Sequence, residues 1–192
     1  MSLILASSSI FRKQLLDKLG VEFDTVSPEI DESRKNGETP EQLVFRLARE
    51  KAFEVAKTHS GLIIASDQVA TLADEILGKP HTHENATKQL EQSSGNSVTF
   101  FTSLALLNTN TDKIQTIVET TKVVFKVLSD KQIESYLQKE RPYNCAGSFK
   151  SEALGISLFE RIEGDDPNTL IGLPLIQLVK MLENEGLNIL QD

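Results

Sequence analysis

The chain has 192 residues, of which 39% are hydrophobic and 25% are charged, and its formal net charge is −8 at pH 7. This composition is that of a globular protein and excludes a disordered, fibrous or disulfide-based one. The acidic excess argues against a broad surface for duplex nucleic acid or anionic lipid, so an anionic ligand would need a few local cations. The length predicts a single domain over residues 1–192.

The cysteine content and the length of the apolar runs bear on location. Cys145 is the only cysteine in the sequence, which excludes an intrachain disulfide and is typical of a reducing compartment. The apolar start of the chain is too short for a signal peptide, and no run approaches the ~18 apolar residues of a membrane helix. We therefore expect a cytoplasmic protein without membrane contact.

The first part of the chain predicts alternating strands and helices. Residues 3–6 form a short apolar run that ends in three serines, and apolar residues then recur at helical spacing up to Gly20. A second strand is predicted at 21–26, followed by an acidic loop at 28–39. A capping-box pattern with proline at the first helical position predicts a helix at 40–58.

The second part begins with an uninterrupted apolar run at 61–65, which predicts a buried strand. Ser66, Asp67 and Gln68 would lie at its carboxyl end, where open α/β sheets bind ligands. The later elements are predicted as a helix at 83–93, a hairpin of strands at 97–108 and 113–127, a helix at 129–140, a Gly/Ser-rich connection at 145–155, a strand at 156–163 and a helix at 172–184. Because the hairpin is antiparallel, the predicted fold class is α/β with a mixed, partly antiparallel twisted sheet flanked by helices.

The first candidate site lies between the first strand and the first helix, where Ser7, Ser8 and Ser9 precede Arg12. Backbone N–H groups at a helix start, hydroxyls and a guanidinium all favour an anion such as phosphate. The alternative is that Ser8 or Ser9 only caps the helix and that Arg12 is solvated. These residues alone favour the alternative.

Lys51 is the second candidate, because it lies on the apolar stripe of the helix predicted at 40–58, four residues after Leu47. Two interpretations stand about equal. Either its methylenes cover the edge of the core while the ammonium reaches water, or the ammonium enters a cleft and meets a bound phosphate. Lys57 lies off the stripe and is expected in solvent.

Asp67, with Glu32 on the acidic loop as its companion, is the candidate for hydrolytic chemistry. Hydrolysis of a phosphoanhydride needs charge neutralisation on the phosphates and a water made nucleophilic at neutral pH. Two carboxylates can share a divalent cation such as Mg²⁺ or Mn²⁺, and one of them can also take the proton of the water. The alternative for Asp67 is a turn-forming or capping role. For Glu32 it is a solvated acid in a run with Glu29 and Asp31.

Two further segments offer polar groups to a ligand. Lys79 lies in a tight Gly-Lys-Pro turn, where its charge would suit a phosphate, although the tripeptide by itself is a weak signal. Glu152 lies in the connection at 145–155, whose small residues let the backbone approach a ligand and whose carboxylate would accept hydrogen bonds from a base. A flexible surface loop is the alternative.

Six short segments together resemble the Maf family of nucleotide pyrophosphatases: LASSSIFR at 5–12, RLAREKA at 46–52, SDQV at 66–69, GKP at 78–80, SG at 94–95 and GLPL at 172–175. They follow the family's order from residue 3 to residue 180, which makes the set specific although each segment is weak alone. The resemblance implies a mixed α/β fold with two lobes around a central cleft.

The resemblance also implies an activity, the cleavage of a nucleoside triphosphate between its α and β phosphorus atoms to give a nucleoside monophosphate and pyrophosphate. A divalent cation such as Mg²⁺, Mn²⁺ or Co²⁺ would be the cofactor. Asp67 matches the family's proton acceptor and, with Glu32, would hold the metal. The positions that match phosphate-contacting residues of the family are Ser7, Arg12, Lys51 and Lys79.

Three other residues distinguish branches of the family. The branch that acts on dTTP and UTP typically carries arginine, threonine and glutamine where this chain has Phe11, Gln68 and Glu152. These three residues resemble instead the branch that hydrolyses 7-methyl-GTP. Because a methylated guanine is cationic, the Phe11 ring and the Glu152 carboxylate would favour it over neutral pyrimidines.

Two alternatives are kept. A dTTP/UTP pyrophosphatase like the sister branch would share the mechanism and differ in the base pocket. A non-catalytic nucleotide-binding regulator is the other, since the family has been associated with inhibition of cell division. The expected partner is a small nucleotide, a homodimer is allowed, and neither nucleic acid nor a membrane is expected.

Overall fold

The structure is a computed structural model that describes residues 2–73 and 75–191. In these residues the helices are α1 Ile10–Asp17, α2 Pro40–Ala56, α3 His83–Ser93, α4 Asp130–Glu140 and α5 Leu175–Asn184. The strands are β1 Leu3–Ala6, β2 Asp24–Val26, β3 Leu62–Leu72, β4 Glu75–Leu77, β5 Ser97–Asn108, β6 Lys113–Phe125 and β7 Phe159–Glu163. Short 3-10 turns cover Ala146–Ser148, Leu154–Leu158 and Thr169–Ile171.

The strands form a mixed sheet in the order β2-β1-β3-β5-β6-β7, with β4 paired to β3. β1 runs parallel to β2 and β3, whereas β4 is antiparallel to β3 and β7 is antiparallel to β6. Four residues connect β5 to its neighbour β6, and so short a connection requires the antiparallel hairpin that the sequence predicts. The predicted α/β class with a mixed, partly antiparallel sheet is confirmed.

Alternation along the strands sends apolar side chains to both faces of the sheet. Leu3 and Leu5 of β1 pack in one core cluster with side chains of α1 and α5. Ile4 and Ala6 pack in a second cluster with Ala52 and Val55 of α2. Helices therefore cover both faces here, and α2 is held by the same stripe that carries Lys51.

The chain forms two compact units. The first comprises Met1–Gln68, Thr102–Glu119 and Asp166–Asp192, and the second comprises Val69–Phe101 and Thr120–Asp165. The expectation of a single domain, with two lobes around a cleft, stays a prediction.

The second unit has an aromatic core. The Phe149 ring meets the rings of Phe100, Phe125 and Phe159 edge-on, with centroids 5.4, 5.6 and 4.9 Å apart. This geometry is favourable for aromatic quadrupoles. Phe149 belongs to the connection at 145–155, which also carries Glu152.

Several element ends differ from the prediction. The largest difference is β3, which continues to Leu72, so Asp67 lies within the strand and the prediction of a strand end there is wrong. The periodicity stops at Ala65 because polar residues follow, but β3 pairs with β1 only up to Ile64 and with β4 from Ala70 onwards. Asp67 lies between these two pairings. The described residues contain no helix with the length and apolarity needed to cross a bilayer.

Candidate active site

Helix α2 places Lys51 in the first unit. Thr39 and Gln42 form the predicted capping box, and Pro40 occupies the first turn, so the helix starts where the sequence predicts. Lys51 lies among buried residues of the apolar face, and its side chain is only 8% exposed. A lysine this deeply buried needs a partner for its charge.

The partners of Lys51 are two carboxylates. Its Nζ atom lies 2.6 Å from Asp67 Oδ1 and 2.7 Å from Glu32 Oε1. One of the two interpretations proposes that the Lys51 ammonium reaches water along the edge of the core. The structure shows instead that the ammonium is paired with two carboxylates. It joins the two acids that the sequence selected for hydrolytic chemistry.

Two-way hydrogen bonds fix the backbone of Asp67 on β3. The Asp67 N–H donates to Ser103 Oγ over 3.1 Å, and the Ser103 hydroxyl lies 3.2 Å from the Asp67 carbonyl oxygen. Ser103 belongs to β5 and is fully buried. The Asp67 side chain is 11% exposed, so its carboxylate is held in a position of limited solvent access.

Arg12 belongs to the same group of charges. Its Nε donates to the carbonyl oxygen of Gly172 over 2.9 Å, and the Ser66 hydroxyl donates to the same oxygen over 2.8 Å. Burial lowers the pKa of Arg12, whereas the nearby charges of Asp67 and Glu32 raise it. Arg12 is therefore half-buried beside these two acids and is not the solvated residue of the alternative interpretation.

The serines before α1 have separate roles. Ser9 is the N-cap residue, and its Oγ accepts from the Arg12 N–H, as the capping interpretation proposes. Ser7 is buried, and its Oγ accepts from the Ser9 N–H over 3.1 Å. Phe11 is half-buried in the first turn of α1. A phosphate contact by Ser7 stays a prediction.

Gln68 follows Asp67 on β3 and is held by protein acceptors. Its Nε2 donates to Thr102 Oγ1 over 2.8 Å and to the carbonyl oxygens of Thr169 and Leu170 over 3.0 and 3.1 Å. Because these contacts use the donor side of the amide, base recognition by Gln68 would fall to Oε1.

The donor set at Asp67 and Glu32 fits a hard divalent cation. Both carboxylates contact one ammonium nitrogen, so they converge on a single positive charge, and carboxylate oxygens are the ligands that such a cation prefers. Within residues 2–73 and 75–191, no three His, Cys, Asp or Glu side chains converge on one point. A cation here would depend on water and phosphate oxygens for its other ligands, which is how Mg²⁺ is usually held.

The second unit contains Lys79 and Glu152, both exposed. Burial raises the pKa of Cys145 in the same unit, and the charges of Lys150 and Lys79 lower it while that of Glu152 raises it. The Glu140 carboxylate holds this region by accepting from Lys150 Nζ over 3.0 Å. The ligand contacts expected of Lys79 and Glu152 stay predictions.

Sequence reasoning missed the residues that support the site. Thr102 and Ser103 are consecutive buried hydroxyls inside the apolar strand β5, and that pattern was a usable signal. Arg46 and Glu38 form a two-pronged ion pair beside the acidic loop. Glu38 lies in that loop and Arg46 on α2, so their pairing depends on how the loop meets the helix, and sequence periodicity gives no signal for it.

A family model described as Maf-like protein matches residues 2–185. A 7-methyl-GTP pyrophosphatase from Pseudoalteromonas translucida (strain TAC 125) is 56% identical over 189 residues, covering 98% of this chain and 94% of that protein. A 7-methyl-GTP pyrophosphatase from Vibrio cholerae serotype O1 is 52% identical over 188 residues, covering 98% and 97%.

Among solved structures, a HAM1 protein from Coxiella burnetii superposes with a TM-score of 0.52 at 17% identity, covering 96% of this chain and 99% of that one. At this identity the likeness concerns the fold alone. It agrees with the mixed α/β architecture.

Proposed function

This chain belongs to the Maf family, and we propose that it is a nucleoside triphosphate pyrophosphatase that hydrolyses 7-methyl-GTP to the nucleoside monophosphate and pyrophosphate. The observation that carries the proposal is the buried Lys51, whose ammonium contacts Asp67 and Glu32 beside Arg12. The names of relatives at 52–56% identity support the choice of nucleotide. Such an enzyme would remove a modified nucleotide from the cytoplasmic pool.

Asp67 is the proton acceptor in this mechanism. Its carboxylate takes a proton from water as the water oxygen bonds to the α phosphorus, and the bond from that phosphorus to the bridging oxygen breaks to release pyrophosphate. Ser103 holds the Asp67 backbone, which limits movement of the base. Asp67 and Glu32 would hold a divalent cation such as Mg²⁺, Mn²⁺ or Co²⁺, which supplies charge neutralisation on the phosphates.

The phosphates are bound by a small set of donors. Arg12 presents a guanidinium whose Nε is fixed on Gly172, which leaves the terminal nitrogens to meet a phosphate. Lys51 is shared between its two acids and the incoming triphosphate. The other two proposed phosphate contacts are Ser7 and Lys79.

Phe11, Gln68 and Glu152 are proposed to select the base. The 7-methylguanine ring carries a positive charge, which an aromatic face and a carboxylate stabilise. Gln68 is held firmly through its Nε2, so its carbonyl oxygen is oriented to accept from a base N–H.

A substrate panel tests the activity. We expect kcat/KM for 7-methyl-GTP to exceed that for GTP, dTTP and UTP, with pyrophosphate and not orthophosphate released. Equal or better turnover of the pyrimidine nucleotides would place the chain with the sister branch. Binding without any pyrophosphate release would instead favour the non-catalytic regulator.

Asp67→Asn tests the mechanism. Loss of the proton acceptor should lower kcat by about 10²- to 10⁴-fold while the fold stays intact. Asp17→Asn is the matched control, because Asp17 is an exposed residue at the end of α1. An unchanged rate in Asp67→Asn would remove Asp67 from its role.

A further inference from the structure

Glu32 is an exposed loop residue that is held in contact with a buried partner. Its side chain is 61% exposed and lies on a loop, yet its carboxylate meets a lysine that is only 8% exposed. An exposed acidic side chain on a loop loses conformational entropy when it is held in one place. Something other than burial must therefore keep this loop in position.

Arg46 is the residue that ties the loop to α2. Its Nε and Nη2 donate to the two carboxylate oxygens of Glu38 over 2.6 and 2.8 Å. Its Nη2 also donates to the backbone carbonyl of Ser33 over 3.0 Å, and its Nη1 donates to Glu50 over 2.9 Å. Nε and Nη2 thus join the helix to the loop, while Nη1 is held by Glu50 on the helix itself.

These contacts reach the backbone next to Glu32. Ser33 follows Glu32 directly, and its carbonyl is held by Arg46 while its N–H donates to Asp31 Oδ1 over 2.9 Å. At the other end of the loop, Glu38 Oε2 accepts from the Lys35 N–H over 3.0 Å. Hydrogen bonds within the loop therefore stabilise its conformation, and Arg46 attaches it to α2 at the residue next to Glu32.

We propose that Arg46 is a positioning residue that holds Glu32 against Lys51, and through this placement supports the binding of a divalent cation. Arg46 and Lys51 lie on one rigid helix, so the loop and the partner of Glu32 share one frame. The inference rests on the proposed function in one respect, that Glu32 serves the cation. The contacts that carry it do not involve the nucleotide.

Arginine suits this role better than lysine. A planar guanidinium binds a carboxylate with two parallel hydrogen bonds and still has a donor for a carbonyl, whereas an ammonium acts as a single point charge. Arg46→Lys should therefore keep the charge and the fold but loosen the loop. Arg46→Gln should remove the attachment.

The test measures two quantities in each variant. One is kcat/KM for 7-methyl-GTP, and the other is the affinity of the nucleotide-free protein for Mn²⁺, followed by the electron paramagnetic resonance of free Mn²⁺. We expect Arg46→Gln to lower both by about 10- to 100-fold, the usual effect of losing a group that orients a metal ligand. Arg49→Gln is the matched control on the same helix and should leave both unchanged, because Arg49 contacts Thr116 and not the loop.

A double-mutant cycle distinguishes positioning from a general structural role. In a Glu32→Gln background, Arg46→Gln should cause no further loss of Mn²⁺ affinity or turnover. An equal loss in both backgrounds would overturn the inference. If Arg46→Gln fails to fold, Arg46→Lys takes its place in the cycle, with the melting temperature as the check.

The outcomes also separate this inference from the proposed function. Suppose that 7-methyl-GTP is not hydrolysed, but that Arg46→Gln lowers Mn²⁺ affinity in the wild type and not in the Glu32→Gln background. The proposed function then fails and the inference stands. If Glu32→Gln leaves Mn²⁺ affinity unchanged, Glu32 does not serve the cation and the inference is overturned.

Discussion

Lys51 shows what one residue contributes. A lysine on an apolar helical stripe has two ordinary explanations, and sequence does not choose between them. The contacts with Asp67 and Glu32 decide against a solvated ammonium. Its charge offsets the repulsion between two carboxylates, which would otherwise oppose their placement at one point.

Removing this charge is therefore expected to affect both stability and binding. Lys51→Ala should lower the free energy of unfolding by about 3 kcal/mol, because Asp67 is left buried without its cation. It should also weaken the handling of triphosphate, seen as a raised KM. Urea unfolding and steady-state kinetics measure the two effects.

Lys57→Ala is the control for this variant. Lys57 follows α2 directly, is exposed and pairs with Glu54 at the surface, so its loss should change neither quantity appreciably. Similar results for the two lysine variants would contradict the role of the buried ion pair.

At the scale of elements, α2 and the loop before it act together. The capping box starts the helix at Pro40, and Arg46 then fastens the preceding loop to the helix surface. The hydrogen bonds from Arg46 lower the pKa of Glu38 to about 2 and raise that of Arg46. The ion pair of Glu38 and Arg46 therefore makes the free energy of unfolding depend on pH.

The pH dependence follows from the direction of this shift. Because the pKa of Glu38 is lower in the folded chain than its ordinary value of 4.5, its stabilisation is present above that value and is lost as pH falls towards about 2. Relative to Glu38→Gln, the wild type should be more stable by about 1 to 2 kcal/mol at pH 6. Denaturant unfolding between pH 6 and pH 3 should show this difference shrinking, and a constant difference would contradict the assignment.

The connection at 145–155 is the second element with a specific expectation. A Cβ atom at Gly155 would overlap the backbone carbonyl of Lys150, so Gly155→Ala should lower the free energy of unfolding by about 1 to 3 kcal/mol. Gly78→Ala is the control, because a Cβ there meets nothing within 4 Å. Equal stability of the two variants by urea unfolding would show that the connection adjusts without cost.

For the molecule as a whole, the net negative charge bears on how the site could bind an anionic ligand. The chain carries a formal charge of −8, yet Arg12 and Lys51 oppose Asp67 and Glu32 in one group. That group is formally neutral, and a triphosphate adds several negative charges to it. Under the proposed function, a divalent cation would supply the additional positive charge.

Removal of metal is accordingly expected to stop turnover. EDTA should abolish pyrophosphate release from 7-methyl-GTP, and added Mg²⁺ or Mn²⁺ should restore it, as measured by a coupled pyrophosphate assay. EDTA already saturated with Mg²⁺ serves as the control and should not inhibit. Full activity in free EDTA would mean that the side chains alone neutralise the phosphates.

Local sequence determined the elements of this protein. Apolar runs and periodicity predicted β1, α2 and the hairpin of β5 and β6, because these signals depend on neighbours along the chain. They also singled out Lys51 as misplaced and Asp67 as a candidate. The residue pattern also proposed the phosphate and metal positions, and the family resemblance added the base-selecting roles of Phe11 and Gln68.

Only the tertiary structure decided which side chains meet. The pairing of Lys51 with Glu32, the hold of Ser103 on Asp67 and the attachment by Arg46 join residues from different elements. The extension of β3 past Asp67 likewise depends on pairing with other strands, β5 and β4. Contacts between separate segments depend on how the chain folds back on itself, and local propensity carries no record of that path.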